Sequence, residues 1–312
     1  MAVRARRGRD RARRAGVSYG TRVLSSLKQL ARRVLPHSLY RRYRQRKIAH
    51  EIAGYAPREV SHEYGGQTLR VRLEDPLAEG WYDHDWEEPA VMGFLRERGV
   101  LAADATIFDL GAHQAVVALM LARSVGAAGR VIAVEAEPHN ARVAAINRDL
   151  NDAANLTVIH AAGAASEGFT SFAEGLNGQV DEQTASGNVT VATVTIDGLA
   201  RDYGTPDLVF VDVEGYEGHV LDGAAETLAN GHTSFLVEVH DPETLATFGA
   251  SPAAIAERLA GFERHIAIDD DQPFEALAGP PPAGRFFLAA IASQHAAQAS
   301  GLPAGAQAAA DG

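Results

Sequence analysis

The stretch TIFDLGAHQAVVALMLARS, residues 106–124, carries the strongest structural signal in this chain of 312 residues. An apolar segment typical of a buried strand runs into Gly111 and continues as an apolar helix pattern. A glycine at such a junction allows a sharp turn and a close approach of the backbone to a ligand. The unpaired amides of the following helix start add hydrogen-bond donors. The stretch therefore predicts a ligand-binding turn between a strand and a helix.

Strand and helix patterns alternate through most of the chain, which predicts a mostly parallel sheet with helices on both faces. Strands are predicted at residues 106–110, 130–135, 156–160, 189–196, 207–212 and 233–240. Helices are predicted at residues 114–125, 138–150, 197–203 and 217–229. Two later segments, ERHIAIDDD and GRFFLAAIA, resemble strands separated by a loop, and we expect them to pair antiparallel at one sheet edge.

Charge is distributed unevenly along the chain. The net charge is −11, yet residues 1–50 hold 16 of the 29 basic residues and one of the 40 acidic residues. We therefore predict four segments. These are a basic arm at residues 1–50, an extension at 51–99 with a hairpin, an aromatic loop and a helix, a main domain at 100–293, and a disordered Ala- and Gly-rich tail at 294–312.

The basic arm contains an amphipathic helix pattern that ends near Pro36. Its apolar positions are Val23, Leu24, Leu27, Leu30, Ala31, Val34 and Leu35. Residues 21–47 could lie on an anionic membrane surface, or the apolar stripe could dock on the main domain, and the sequence leaves both open. The arm has few aromatic residues for base stacking, which argues against nucleic-acid binding.

The sequence also bears on localisation. Without a secretory h-region or a membrane span of about 20 apolar residues, we expect a cytoplasmic protein, with peripheral membrane attachment as the alternative. Zero cysteines exclude disulfides and thiolate metal sites.

Two acids mark the predicted cofactor site. Asp109 opens the glycine turn, and Glu135 ends the next strand, where a carboxylate can accept the hydroxyls of an adenosine ribose. His113 and Val116 occupy the second and third glycine positions of the dinucleotide fingerprint, which disfavours a diphosphate. An acid at the turn favours a cationic ligand. S-adenosylmethionine, a positively charged nucleoside, fits this pattern.

A run of ordered motifs over residues 80–240 resembles the FkbM family of S-adenosylmethionine-dependent methyltransferases. The motifs are DLGAHQA at residues 109–115, EAEP at 135–138, ID at 196–197, VDVEGYE at 211–217 and EVH at 238–240. The resemblance implies an α/β fold of the Rossmann-like class I methyltransferases, with a mostly parallel seven-stranded sheet, an antiparallel last strand and helices on both faces. It also implies S-adenosylmethionine bound by Asp109, Gly111, Ala112, His113, Glu135, Ala136 and Ala162.

Three residues depart from the family's pattern. His113 replaces the usual Asn, Ala115 the usual Gly, and Phe210 the usual Lys. The last two motivate an alternative in which the chain is a degenerate member that binds the cofactor without transferring methyl groups.

Four residues are predicted for the chemistry: Asp212, Glu214, Glu238 and His240. Because side chains two residues apart share one side of an extended strand, Asp212 and Glu214 should lie together, as should Glu238 and His240. They could act as a base or position the substrate, cap neighbouring helices, or bind a hard divalent metal, in that order of preference, and we assign no metal ligand. Glu217 is interpreted as a structural residue in the first turn of a helix.

The acceptor is expected to carry a hydroxyl group. An NPPY-like tetrapeptide is absent after the fourth strand, which argues against amino methylation of adenine or glutamine. The resemblance implies a small-molecule or glycan acceptor, such as a saccharide or secondary metabolite, activated by Asp212 or His240. The aromatic run from Trp81 to Trp86 could stack on a sugar ring or anchor the extension. Methylation of RNA through the basic arm is the rival enzymatic hypothesis.

Overall fold

The computed structural model describes Lys47 and residues 50–173, 179–180, 189–269 and 271–295. The predictions for residues 1–46 and for the tail beyond residue 295 lie outside these ranges. The chain divides into two units, Met1–His50 and Glu51–Gly312, and the following description concerns the second. In the described part, no helix is both long and apolar enough to cross a bilayer.

The second unit contains a hairpin followed by two helices, and the sequence predicted the hairpin and the second helix. Strands β1 (Arg58–Tyr64) and β2 (Gln67–Leu73) pair antiparallel around Gly65 and Gly66. Helices α1 (Pro76–Tyr82) and α2 (Ala90–Glu97) follow. The segment predicted as an aromatic loop is partly helical, because Asp75 caps α1 through the amides of Leu77 and Ala78 and Pro76 begins the helix.

The main sheet contains the predicted alternation. Its elements in chain order are β3 (Thr106–Leu110), α3 (Val116–Val125), β4 (Arg130–Glu135), α4 (Pro138–Leu150) and β5 (Leu156–His160). After a segment that forms a separate sheet, the chain continues through α5 (Ile196–Tyr203), β10 (Leu208–Val211), α6 (Glu217–Asp222), α7 (Ala225–Asn230) and β11 (Ser234–Val239). It ends with α8 (Pro242–Ala246), α9 (Pro252–Arg258), β12 (Glu263–Ala267), β13 (Glu275–Ala276) and β14 (Phe286–Ile291).

The strand order in this sheet is β13-β12-β14-β11-β10-β3-β4-β5. Strands β11, β10, β3, β4 and β5 run parallel, whereas β14 is antiparallel to both of its neighbours. The expected sheet of seven strands with an antiparallel last strand is confirmed, with the two-residue β13 as an addition at the edge. The pairing of the two terminal strands is also confirmed.

Two predicted elements differ from the structure. The strand predicted at 189–196 is β9 (Val189–Val194), and it belongs to a second sheet with β6 (Ala162–Gly163), β7 (Gly168–Ala173) and β8 (Gln179–Val180). Strand propensity does not predict which sheet a strand joins, because pairing depends on strands that are distant in sequence. The helix predicted at 217–229 is divided into α6 and α7 at Gly223, where a β-carbon would lie 2.2 Å from the carbonyl oxygen of Ala164.

The sheet is covered on both faces, as expected. Alternate residues of β3 face opposite sides: Ile107 packs with the hairpin, α2 and α3, while Phe108 packs with α5, α6 and α9. Four helices begin with a capping acid or hydroxyl followed by proline, at Asp75-Pro76, Glu137-Pro138, Asp241-Pro242 and Ser251-Pro252. Two of these caps fall directly after the carboxyl ends of β4 and β11, so they help to position the site there.

Candidate active site

The turn after β3 requires glycine at position 111. Gly111 has φ +95°, and a β-carbon there would lie 1.7 Å from the carbonyl oxygen of Asp212. The amides of Gly111 and Ala112 both donate to the carbonyl oxygen of Val134. The amide of Asp212 donates to Leu110 at 2.9 Å, so the ends of β3, β4 and β10 are joined at this point.

The two unusual residues in the turn adopt left-handed backbone conformations. His113 has φ +48° and Ala115 has φ +63°, which are conformations that asparagine and glycine adopt more readily. The Nδ1 atom of His113 lies 2.8 Å from the hydroxyl of Tyr82, and its ring centroid lies 4.9 Å from that of Trp81. The histidine therefore joins the turn to α1, a contact that asparagine would not make with both aromatic rings.

Glu135 closes the other side of the turn. One carboxylate oxygen accepts the amide of His113 at 2.7 Å, and the other accepts the amide of Glu137 at 2.8 Å. Burial raises the pKa of Glu135 to about 8, although the two amide bonds act in the opposite direction. Each carboxylate oxygen keeps a second lone pair, so these bonds leave acceptor capacity for a ligand in the cleft.

One cleft at the carboxyl ends of the strands brings together most of the predicted site residues. It is lined by Trp81, Gly111, His113, Val134, Glu135, Ala136, Asn140, Ala161, Ala162, Gly163, Asp212, Val213, Glu214 and Tyr216. Of the predicted cofactor residues, Asp109 and Ala112 are not in this lining. Asp109 is 2% exposed, burial raises its pKa to about 7, and its Oδ2 atom has no hydrogen-bond partner in the described part of the chain.

The aromatic extension contributes to the same cleft. Trp81 is 39% exposed and lines it, whereas Tyr82 is buried. Their helix is fastened through Asp75, which accepts hydrogen bonds from the side chain of Gln114 at 2.6 Å and contacts His139 at 3.0 Å. Gln114 therefore faces Asp75 and leaves the cleft open.

The predicted reason for the proximity of Asp212 and Glu214 is wrong, although both line the cleft. Strand β10 ends at Val211, and Glu214 has a left-handed φ of +54°, followed by Gly215 at +101°. The two acids thus lie on a tight turn and not on one side of an extended strand. A β-carbon on Gly215 would lie 2.7 Å from Cγ2 of Thr244, which explains the glycine.

His240 is the centre of a cluster of carboxylates. Its Nε2 atom lies 3.4 Å from Glu214 Oε2, 3.7 Å from Glu238 Oε1 and 3.9 Å from Asp212 Oδ1. Its Nδ1 atom lies 2.6 Å from Glu217 Oε1. The structure therefore brings all four predicted chemical residues together, on the turns after β10 and at the end of β11.

Burial and the surrounding charges change the acidity of this cluster. Burial and the neighbouring Glu238 raise the pKa of Asp212 well above its ordinary value. Burial alone would lower the pKa of His240, but the adjacent Glu214 and Glu217 outweigh it and raise the pKa to about 11. The carboxylates around the ring therefore favour its protonated form.

Two residues of the cluster were not predicted to take part in it. Glu217 is fully buried, accepts the amide of Gly215 at 2.9 Å and orients the ring of His240. Arg285, in the loop before β14, pairs its Nε atom with Glu238 Oε1. No local pattern marks either role, because each depends on a strand or turn distant in sequence.

Three side chains of the cluster could share a cation. One carboxylate oxygen each of Asp212 and Glu238 and one ring nitrogen of His240 lie within 4.8 Å of one another.

The strand order and the glycine turn are those of the Rossmann-like fold of class I methyltransferases. The family described as methyltransferase FkbM domain matches residues 109–300, and the chain belongs to this family of S-adenosylmethionine-dependent methyltransferases. S-adenosylmethionine is its cofactor. The cleft fits a cationic nucleoside, because the backbone at Gly111 is unobstructed by a side chain and the acids Glu135, Asp212 and Glu214 face the same space. No curated protein sequence matches the chain.

Solved structures with a similar fold include three methyltransferases. A precorrin-6y C5,15-methyltransferase from Geobacter metallireducens is 18% identical, with a TM-score of 0.38, over 64% of this chain and 86% of that one. A methyltransferase FkbM from Methylobacillus flagellatus is 14% identical, with a TM-score of 0.39, over 61% of this chain and 44% of that one. A methyltransferase from Aquifex aeolicus is 15% identical, with a TM-score of 0.40, over 70% of this chain and 94% of that one.

Proposed function

We propose that this protein transfers the methyl group of S-adenosylmethionine to a hydroxyl group of a saccharide or secondary metabolite. The observation that carries the proposal is the cluster around His240, whose acids Asp212 and Glu214 line the same cleft as Gly111 and Glu135. A cofactor-side pocket and a set of proton acceptors thus share one opening. An alcohol needs such an acceptor, because its oxygen must lose a proton as it becomes methylated.

The chain's own residues supply the proton acceptor. When bound, S-adenosylmethionine would supply an electrophilic methyl group, and the electron pair of its broken carbon–sulfur bond would stay on sulfur. Asp212 or Glu214 takes the hydroxyl proton, since both reach the cleft. The raised pKa of Asp212 makes its carboxylate a stronger base than an exposed aspartate. The imidazole of His240, 3.4 Å from Glu214 Oε2, helps to hold these acids in place.

The aromatic side of the cleft supports a ring-shaped acceptor. Trp81 leaves 39% of its surface exposed beside His113, and an exposed indole face is well suited to stack on the apolar face of a sugar ring. The acids across the cleft can accept hydrogen bonds from the hydroxyl groups of the sugar ring.

Attachment to an anionic membrane through residues 21–47 stays a prediction for the basic arm.

The test is methyl transfer from labelled S-adenosylmethionine to a panel of saccharides and hydroxylated natural products, with matched amines as alternatives. We expect label on oxygen, and Asp212→Asn should reduce kcat by about 10²- to 10⁴-fold, the usual contribution of a positioned acid or base. Glu243→Gln, at an exposed acid on α8, is the control and should keep the wild-type rate. Transfer to amines alone, or an unchanged rate in Asp212→Asn and also in Glu214→Gln, would contradict the proposal.

A further inference from the structure

The atoms facing Nε2 of His240 are spaced like metal ligands. The carboxylate oxygens of Glu238 and Asp212 lie 3.7 Å and 3.9 Å from this nitrogen, too far for hydrogen bonds. The ligand atoms of these three residues all lie within 4.8 Å of one another. An octahedral ion with bonds of about 2.1 Å places its ligand atoms roughly 3 to 4 Å apart. One ion can therefore contact all three side chains after small movements.

Glu217 provides an independent indication of a metal. It is fully buried, and its Oε1 atom lies 2.6 Å from Nδ1 of His240. Histidines that bind metals usually donate their other ring N–H to a carboxylate, which directs the free lone pair of the second nitrogen toward the ion. The amide of Gly215 fixes Glu217 in this position, and its Oε2 atom is buried without a hydrogen-bond partner among the described residues. The ring is thus held with Nε2 directed at the carboxylates of Glu214, Glu238 and Asp212, at 3.4, 3.7 and 3.9 Å.

The charge of the cluster favours a divalent cation. Four carboxylates, those of Asp212, Glu214, Glu217 and Glu238, surround one imidazole. Arg285 compensates only part of this charge, at Glu238. Carboxylate-rich sites select hard ions such as Mg²⁺ and Mn²⁺.

We infer that Asp212, Glu238 and His240 bind one divalent cation of the Mg²⁺ or Mn²⁺ class, with Glu217 as the residue that positions His240. The ion takes the place of the proton on Nε2. Asp212 also lines the cleft together with Glu214, and the acceptor hydroxyl of the proposed function would bind in that cleft. A cation there lowers the pKa of a bound hydroxyl and so eases the loss of its proton to Glu214. This last step rests on the proposed function, whereas the binding of the ion does not.

Binding can be measured without an acceptor. The full chain is stripped with a chelator and titrated with Mn²⁺, and free Mn²⁺ is followed by electron paramagnetic resonance. We expect one ion per chain, at least tenfold weaker binding in Asp212→Asn and in Glu238→Gln, and about tenfold weaker binding in Glu217→Gln. Glu243→Gln, with its exposed side chain three residues from His240, should bind as the wild type does. Circular dichroism of each variant shows whether it is folded.

Two results would overturn the inference. One is a wild-type chain that takes up no Mn²⁺ in a saturable manner, and the other is folded Asp212→Asn and Glu238→Gln variants that bind Mn²⁺ as tightly as the wild type. Methyl transfer is assayed separately with and without chelator. Saturable Mn²⁺ binding without hydroxyl methylation would refute the proposed function alone, while full methylation in chelator with no Mn²⁺ binding would refute the metal site alone.

Discussion

The two sides of the cleft are built differently. On the side predicted to bind the cofactor, the backbone forms the site: Gly111, His113 and Ala115 have left-handed conformations, and Glu135 accepts hydrogen bonds from backbone amides. On the opposite side, long-range contacts of side chains make the site around His240. The first side should therefore be sensitive to single atoms of steric bulk, and the second to changes of charge. Four substitutions on the side predicted to bind the cofactor sharpen this comparison: two change steric bulk, and two remove a carboxylate charge.

The largest effect is expected for Gly111→Ala. Its β-carbon would lie 1.7 Å from the carbonyl oxygen of Asp212, so the ends of β3 and β10 must separate. We expect the free energy of unfolding to fall by more than about 3 kcal/mol and cofactor binding to be lost. Denaturant unfolding and calorimetry measure the two quantities.

Gly66→Ala is the matched control. Gly66 also has a positive φ, +76°, but a β-carbon there would have no atom within 4 Å. Only the conformational cost of about 1 kcal/mol is expected. Equal losses in both variants would show that the close approach at Gly111 is unimportant.

Glu135→Gln should have the next largest effect. A glutamine has one acceptor oxygen in place of two, so one of the amides of His113 and Glu137 loses its partner. We expect the affinity for S-adenosylmethionine to weaken by about 1–3 kcal/mol, as measured by calorimetry. Glu97→Gln, at an exposed acid on α2, should leave the affinity unchanged. An unaltered affinity in Glu135→Gln would place the cofactor away from this carboxylate.

Asp109 predicts a dependence of stability on pH. Burial raises its pKa from 3.8 to about 7 in the folded protein, so the folded state retains a proton that the unfolded state loses. The free energy of unfolding should therefore fall as the pH rises from about 4 to about 7. Asp109→Asn should make this fall shallower in the cofactor-free protein, while Asp104→Asn, at an exposed position, should follow the wild type. Parallel curves for all three proteins would contradict the assignment.

The smallest effect, and the only stabilising one, is expected for Ala115→Gly. Ala115 has φ +63° at the N-cap of α3, where glycine is free of the β-carbon strain. The free energy of unfolding should rise by about 1 kcal/mol, as measured by denaturant unfolding. Ala118→Gly, inside the same helix, should instead lower it by about 1 kcal/mol. A loss of stability in Ala115→Gly would mean that the alanine methyl makes packing contacts worth more than the strain.

Local patterns were sufficient for the elements that form near one another in sequence. The strand before Gly111, the helix after Pro138 and the hairpin at Gly65 and Gly66 were all predicted and observed, because each depends on periodicity and turn chemistry within about a dozen residues. The motif order over residues 109–240 likewise indicated the family and its cofactor. Membership of the second sheet by Val189–Val194 was not predicted, since strand pairing is a long-range property.

The amino-acid sequence by itself determined where the parallel strands end and which acids follow them. Only the tertiary structure decided what those acids contact: Glu217 and Arg285 join the cluster at His240 from different turns. It also decided that Asp212 and Glu214 meet through a left-handed turn and not through strand alternation. The physical reason is that spacing along a chain specifies local direction, whereas charge and burial at a site depend on segments that folding brings together.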